Sequence, residues 1–220
     1  MDGICTLGND YFVDQVVALL NSIEIIYGQK MPVCIYPYDD NTDKLAAEIA
    51  SRPQVTLYND PVSMERWDSF AQAVWDTHPT AKQRWETAGI NGYHRFGTHR
   101  RYCALDGPFD RFIYMDADTI WMSPLDDIFD KLEDSDCVVY DFQHKQHNHV
   151  YEVSSPKLNK VCSPERVKSE IFCSGFFATK KDLFSEEQRN WLLEKLGPGE
   201  SEIIYPALHQ SGMIYNEREN

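Results

Sequence analysis

Two aspartates, Asp116 and Asp118, stand directly after the run Arg111-Phe112-Ile113-Tyr114-Met115. Apolar residues rich in β-formers read as a buried strand, and carboxylates at i and i+2 then lie on one side where that strand leaves the sheet. Charges crowded this closely repel, and both stay ionised comfortably only beside a cation. Hard oxygen ligands on a small turn suit Mn²⁺ or Mg²⁺, which keep positions open for water or substrate phosphates. The residues therefore predict a metal–diphosphate site at a strand's carboxyl end, where α/β proteins place their ligands. The same Asp-x-Asp pattern also occurs as a plain turn whose carboxylates cap local backbone groups, and both readings stay open on the residues alone.

Two other groups of residues could do chemistry. Lys82, Arg84, Arg95, Arg100 and Arg101, with His94 and His99, make 82–101 the basic stretch of an acidic chain. It is either a solvated face or a mobile lid over phosphates. His144, His147 and His149 share a polar loop, but their spacing is not that of a two-ligand helical turn, and an exposed loop is the simpler reading.

The chain has 220 residues and a formal net charge of −14. That length supports a sizeable core. The charge argues against nucleic acid and anionic membrane surfaces as partners, and an anionic substrate would need a bridging cation. The six cysteines form no C-x-x-C pair. Cys5, Cys34, Cys103, Cys137 and Cys173 sit in or beside apolar runs and read as small buried hydrophobes, which fits a reducing compartment. No signal peptide is visible and no apolar stretch is long enough to span a bilayer, so the expected location is cytoplasmic.

These residues need a scaffold, and the first half of the sequence predicts one. Strands are expected at Gly3–Leu7, Pro32–Tyr36 and Val55–Tyr58. A helix capped by Asp10 carries apolar positions 13, 16, 17, 20 and 23 and ends at Gly28, and a second covers Thr42–Arg52. Strand–helix–strand–helix–strand with short connections is a parallel nucleotide-binding half. Beyond Asp118, apolar residues 125, 128 and 129 predict a short helix. Strands follow at Val138–Phe142 and Ile171–Thr179, then a helix opened by a capping box of Ser185 and Gln188.

With that scaffold in place, Arg100-Arg101-Tyr102-Cys103-Ala104-Leu105, Phe112-Ile113-Tyr114-Met115-Asp116-Ala117-Asp118-Thr119-Ile120 and Leu125-Asp126-Asp127-Ile128-Phe129 resemble the central block of the glycogenin-like, family-8 glycosyltransferases. Thr6-Leu7-Gly8-Asn9-Asp10-Tyr11 is similar to the family's first strand and turn. Phe172-Cys173-Ser174-Gly175-Phe176-Phe177 resembles its F-N-S-G-V strand, and His209-Gln210 with Asn216 its D-Q-x-x-x-N segment. The resemblance implies an α/β GT-A fold: a Rossmann-like three-layer α/β/α domain over 1–220 around a mostly parallel mixed sheet. Residues 1–60 would be the nucleotide-binding half, 61–101 a lid, and 102–220 the metal, sugar and acceptor half.

The implied activity is transfer of a sugar, with retention, from a nucleotide diphosphate donor such as a UDP-sugar to a glycan, protein or lipid acceptor. Asp116 and Asp118, with Ala117 between them, would hold Mn²⁺ or Mg²⁺ against the diphosphate. Thr6, Leu7, Asn9 and Tyr11 would cradle the nucleoside, and Arg100 would reach the donor. Ser174, Gly175 and Gln210 would line the sugar pocket, with Gln210, His209 and Arg100 as catalytic candidates.

The chain departs from the family at three places. Cys173 replaces an asparagine and His209 an aspartate, which bears on sugar identity and turnover. The family's later H-x-x-G-x-x-K-P-W segment, whose histidine completes the metal site, has no counterpart before Asn220. This predicts an incomplete catalytic unit in which His209 is the best-placed substitute ligand. Two alternatives follow: a nucleotide-sugar binder with impaired turnover, and a haloacid-dehalogenase-like phosphatase using Asp116 as nucleophile.

Overall fold

In the computed structural model the described residues are 1–76, 87, 89, 97–139, 163–169 and 175–196. The chain divides into two compact units. The first comprises Met1–Trp67, Arg100–Val139 and Gly175–Leu183 and contains the whole sheet. Its strands are β1 (Asp2–Gly8), β2 (Val33–Pro37), β3 (Val55–Leu57), β4 (Arg111–Met115), β5 (Cys137–Val139) and β6 (Phe176–Lys180), in the spatial order β3-β2-β1-β4-β6-β5. The first four run parallel, and β6 is antiparallel to both β4 and β5. This is the mostly parallel mixed sheet that the sequence predicts.

Side-chain alternation gives the sheet two apolar faces. Ile4, Val33, Ile35, Ile113, Met115 and Ala178 pack with Val16, Leu19, Leu20 and Ile23 of α1 (Val13–Tyr27), Leu45 and Ile49 of α2 (Asp43–Ile49), and Phe129 and Leu132 of α4 (Asp126–Asp134). The opposite face carries Cys5, Cys34, Tyr36, Phe112, Tyr114 and Phe177, all buried. A 3₁₀ segment, Arg100–Asp106, packs on this side, where Tyr102 lies against Trp67 of α3 (Pro61–Asp76) with ring centroids 5.6 Å apart.

The helix ends show which polar residue does what. Asp10 is not the cap of α1, contrary to the sequence expectation. Asn9 Oδ1 accepts the N–H groups of Tyr11 and Phe12 at 3.1 Å each, while Asp10 Oδ1 accepts the Leu45 N–H at 3.0 Å and thereby caps α2. A carboxylate after a strand can serve whichever helix N-terminus the fold brings near it, and sequence adjacency does not decide that choice. Gly28 ends α1 as expected, at φ 62° with its N–H on the Glu24 carbonyl.

Cys5, Cys34 and Cys103 are buried free thiols, as their apolar surroundings predict. Cys137 is a correction: it is exposed, on β5, which is the last strand of the sheet among the described residues.

Burial pushes the Cys34 thiol up to about 11. The sign follows from linkage. Below the ordinary thiol value the group is neutral in both states and its contribution is intact. Above that value the unfolded chain loses the proton first, and unfolding becomes easier until the folded pKa is reached. Stability should therefore fall between about pH 9 and 11, by roughly 1.4 kcal/mol per pH unit from this thiol. Urea midpoints of Cys34→Ala, measured across that range beside the wild type, should show a shallower fall. Parallel curves would exclude the effect.

The second unit comprises Asp68–His99, Tyr140–Ser174 and Phe184–Asn220. Its described parts include the second half of α3, residues 97–99, α5 (Pro164–Ser169) and, after Phe184 and Ser185, α6 (Glu186–Leu196). The capping box forms as predicted: Gln188 Oε1 accepts the Ser185 N–H at 2.8 Å, and Ser185 Oγ accepts the Gln188 N–H at 3.2 Å. Phe70 meets Phe184 edge to face at 5.7 Å. Among the described residues no helix is long and apolar enough to cross a membrane.

Candidate metal and diphosphate site

The parallel strands β2, β1 and β4 end on one edge of the sheet. Strands β1 and β4 are neighbours, and the chain runs from β1 to β2 on one side but from β4 to β5 and β6 on the other. This is the switch point at which open α/β sheets bind ligands. The loops after β1 and β4 and Gly175, which precedes the antiparallel β6, all arrive at this edge.

Asp116 and Asp118 leave β4 in a tight turn, which Thr119 fixes by donating its hydroxyl to the Asp116 carbonyl at 2.6 Å. Trp121 then buries its ring against the core, with its backbone N–H on Ser22 Oγ at 3.0 Å and its indole N–H on the Met115 sulfur. The turn is thereby pinned at both ends.

Register brings in a third element. Met115 pairs with Phe176, so Gly175 falls beside Asp116, and its carbonyl accepts the Asp116 N–H at 2.9 Å. A Cβ at 175 would lie 3.1 Å from Asp116 Oδ2. Glycine therefore keeps the space next to that oxygen open.

The two carboxylates differ in environment. Tyr114 donates its hydroxyl to Asp116 Oδ1 at 2.7 Å, and Arg101 Nη2 lies 3.5 Å from the same oxygen. The Arg101 guanidinium sits 4.9 Å over the Tyr114 ring, which stacks on Phe177 at 5.0 Å. Burial holds the Tyr114 phenol well above its ordinary pKa, so it remains a donor. Asp116 Oδ2 accepts no hydrogen bond from the described residues. Asp118 is exposed and without a partner among them.

This arrangement suits a hard divalent cation, with one carboxylate oriented by the protein and a second free to move onto the ion. Among the described residues no group of three or more His, Cys, Asp or Glu is gathered as a metal site. Asp116 and Asp118 are thus the acidic ligands on offer there.

The remaining candidates divide. Thr6 and Leu7 are buried at the end of β1, and Tyr11 is 84% exposed beyond it. Asn9 is engaged in the loop itself: besides accepting the Tyr11 and Phe12 N–H groups it donates from Nδ2 to Asp39 Oδ2 at 2.8 Å. Arg100 turns toward the end of β2, with Nη1 3.4 Å from the Pro37 carbonyl and 3.7 Å from Asp40 Oδ1. The guanidinium at Asp116 belongs to Arg101, which sequence reasoning passed over. Neighbours in a 3₁₀ segment point about 120° apart, and spacing alone does not choose between two adjacent arginines.

His99, Arg100 and Arg101 are buried rather than a solvated face. Ala117 lies partly buried between the aspartates. Ser174, His209 and Gln210 lie outside the described residues, as do Cys173, the histidines at 144, 147 and 149, and most of the basic stretch from 82.

Comparison with solved structures places this architecture. Mouse xyloside xylosyltransferase 1 in its apo form superposes with a TM-score of 0.58 at 11% identity, over 92% of this chain and 80% of that protein. Galactosyltransferase LgtC, in complex with donor and acceptor sugar analogs, superposes with a TM-score of 0.53 at 12% identity, over 98% of this chain and 67% of that protein. No family model and no curated protein matches the sequence. The fold is the GT-A type, an α/β architecture with a mostly parallel six-stranded sheet.

Proposed function

We propose that the chain is a metal-dependent glycosyltransferase that moves a sugar from a nucleotide diphosphate donor, a UDP-sugar, with retention, to a glycan, protein or lipid acceptor. The observation that carries this reading is the placement of Asp116 and Asp118. They stand at the carboxyl end of β4 beside the β1–β4 switch point, with Arg101 and Gly175 brought alongside by the fold. The GT-A neighbours support the same class of reaction by fold.

The chemistry asks for charge control at the leaving group, because the departing nucleoside diphosphate gains negative charge as the glycosidic bond breaks. Asp116 and Asp118 would hold Mn²⁺ or Mg²⁺, which supplies Lewis-acid stabilisation of the phosphate oxygens. Tyr114 and Arg101 orient Asp116, and the missing side chain at Gly175 leaves room beside its Oδ2. The end of β1, with Thr6, Leu7 and Tyr11, is where the nucleoside would lie, and Arg100 faces the adjoining end of β2. Ser174, Gln210 and His209 remain proposed sugar-side residues; of the expected 61–101 lid, Trp67, Phe70, Arg100 and Arg101 are buried in the packed scaffold, so the proposed lid is confined to the stretch between α3 and His99. Free buried thiols favour a reducing, cytoplasmic location.

Calorimetry of UDP and of a panel of UDP-sugars tests the reading. Binding is expected with Mn²⁺, a large loss with chelator, and slow release of UDP from one sugar donor when Mn²⁺ is present. Equal UDP affinity with and without the metal would sink it.

A further inference from the structure

Arg101 sits inside the site already carrying a positive charge. Its side chain is 5% exposed, its guanidinium lies 3.5 Å from Asp116 Oδ1, and it is pinned over the Tyr114 ring at 4.9 Å. Tyr114 is in turn held by its stack on Phe177. A surface arginine could swing away when a cation arrives. This one is fixed by packing on an aromatic ladder, so its charge stays beside Asp116 whatever else binds.

We propose that Arg101 is an internal counter-cation that makes ion binding at Asp116 and Asp118 depend on the diphosphate. The idea rests on the metal–diphosphate reading and deepens it by assigning the coupling between the two ligands. Asp116 and Asp118 contribute two negative charges and Arg101 one positive, so these three groups together carry one negative charge. A divalent ion arriving alone meets half the compensation that two free carboxylates would give, and it is repelled by the fixed guanidinium. A diphosphate brings the missing negative charge and offers the same guanidinium charge-assisted hydrogen bonds. Ion and nucleotide should therefore each bind weakly alone and tightly together, and by linkage each must raise the other's affinity by the same factor.

Tyr114 has a separate part. Its hydroxyl is neutral and fixes Asp116 Oδ1 without altering the charge count, so it is a positioning residue for the carboxylate rather than a source of the coupling.

The test is a calorimetric cycle: Mn²⁺ alone, UDP alone, and each in the presence of the other, on the wild type, Arg101→Gln, Arg101→Lys and Tyr114→Phe. In the wild type, UDP is expected to tighten Mn²⁺ binding roughly tenfold or more, a usual range for coupled sites. Arg101→Gln should bind Mn²⁺ alone about tenfold more tightly, because a nearby like charge has gone, and should lose most of the coupling. Arg101→Lys and Tyr114→Phe, which keep the charge, should retain it.

Arg101→Gln that binds Mn²⁺ no tighter than the wild type, while UDP still binds with Mn²⁺, overturns the counter-cation role and leaves the metal site standing. No UDP binding to the wild type under any metal condition overturns both. If Arg101→Gln does not fold, Tyr114→Phe and the wild type decide: coupling absent from the wild type, or lost on removing the neutral hydroxyl, overturns the proposal.

Discussion

Asp118→Asn should leave the protein folded and remove most of its Mn²⁺-dependent affinity for UDP. Asp118 is exposed and has no hydrogen-bond or ionic partner among the described residues, so the substitution orphans nothing there. Its effect on stability should stay within about 0.5 kcal/mol. At the site the change is larger, because a charged ligand is exchanged for a neutral one next to a divalent ion. Losing one electrostatic stabiliser of this kind costs about 3 kcal/mol, which is roughly a hundredfold in the dissociation constant. Titration of UDP in Mn²⁺ and in chelator gives a clear comparison. Wild type and variant should differ strongly in the first condition and coincide in the second. Equal affinities in Mn²⁺ would remove Asp118 from the site. Asp116→Asn would be harder to interpret, since Asp116 also answers Tyr114 and Arg101.

The largest loss of stability is expected at a carboxylate outside the site. Asp106 Oδ2 accepts three hydrogen bonds: from Ser63 Oγ at 2.8 Å, Arg66 Nη1 at 2.7 Å and Trp67 Nε1 at 2.7 Å. The donors come from the first turns of α3, and the acceptor ends the 3₁₀ segment that carries Arg101. Trp67 is among the largest fully buried side chains, so its N–H would have no water to turn to. Bonds to a charged acceptor contribute about 1.5–3 kcal/mol each, but those sharing one oxygen do not add. Asp106→Ala should therefore lower unfolding free energy by about 3 kcal/mol, and Trp67→Phe, which removes one donor and some area, by less. Chemical denaturation at neutral pH measures both. A shift below about 1 kcal/mol for Asp106→Ala would mean that the three donors find other partners.

Much of the scaffold was legible in the residues because its signals are local. Alternating strand and helix patterns gave β1 to β4 within a residue or two at each end. Gly28 terminated α1 because its positive φ suits glycine. Ser185 and Gln188 formed their box because both partners lie within one turn. The Asp116–Asp118 turn was visible for the same reason: an apolar strand ending in carboxylates is a pattern of adjacent residues.

What the sequence could not settle depends on distances in space between residues far apart along the chain. Asp10 serves α2 through Leu45, thirty-five residues away, and not the helix that follows it. Cys137 is exposed on β5, the last strand of the sheet among the described residues, and strand order is a property of the assembled sheet. Gly175 meets Asp116 only through the antiparallel register of β6 on β4. Arg101 rather than Arg100 reaches Asp116 because the 3₁₀ segment packs on the Tyr114 face of the sheet in one rotation and not another. Residue types and spacing determined that this chain would carry paired carboxylates at the end of a buried strand. Tertiary packing alone decided which cation, hydroxyl and glycine would surround them, because those contacts follow from register and rotation, which no local pattern encodes.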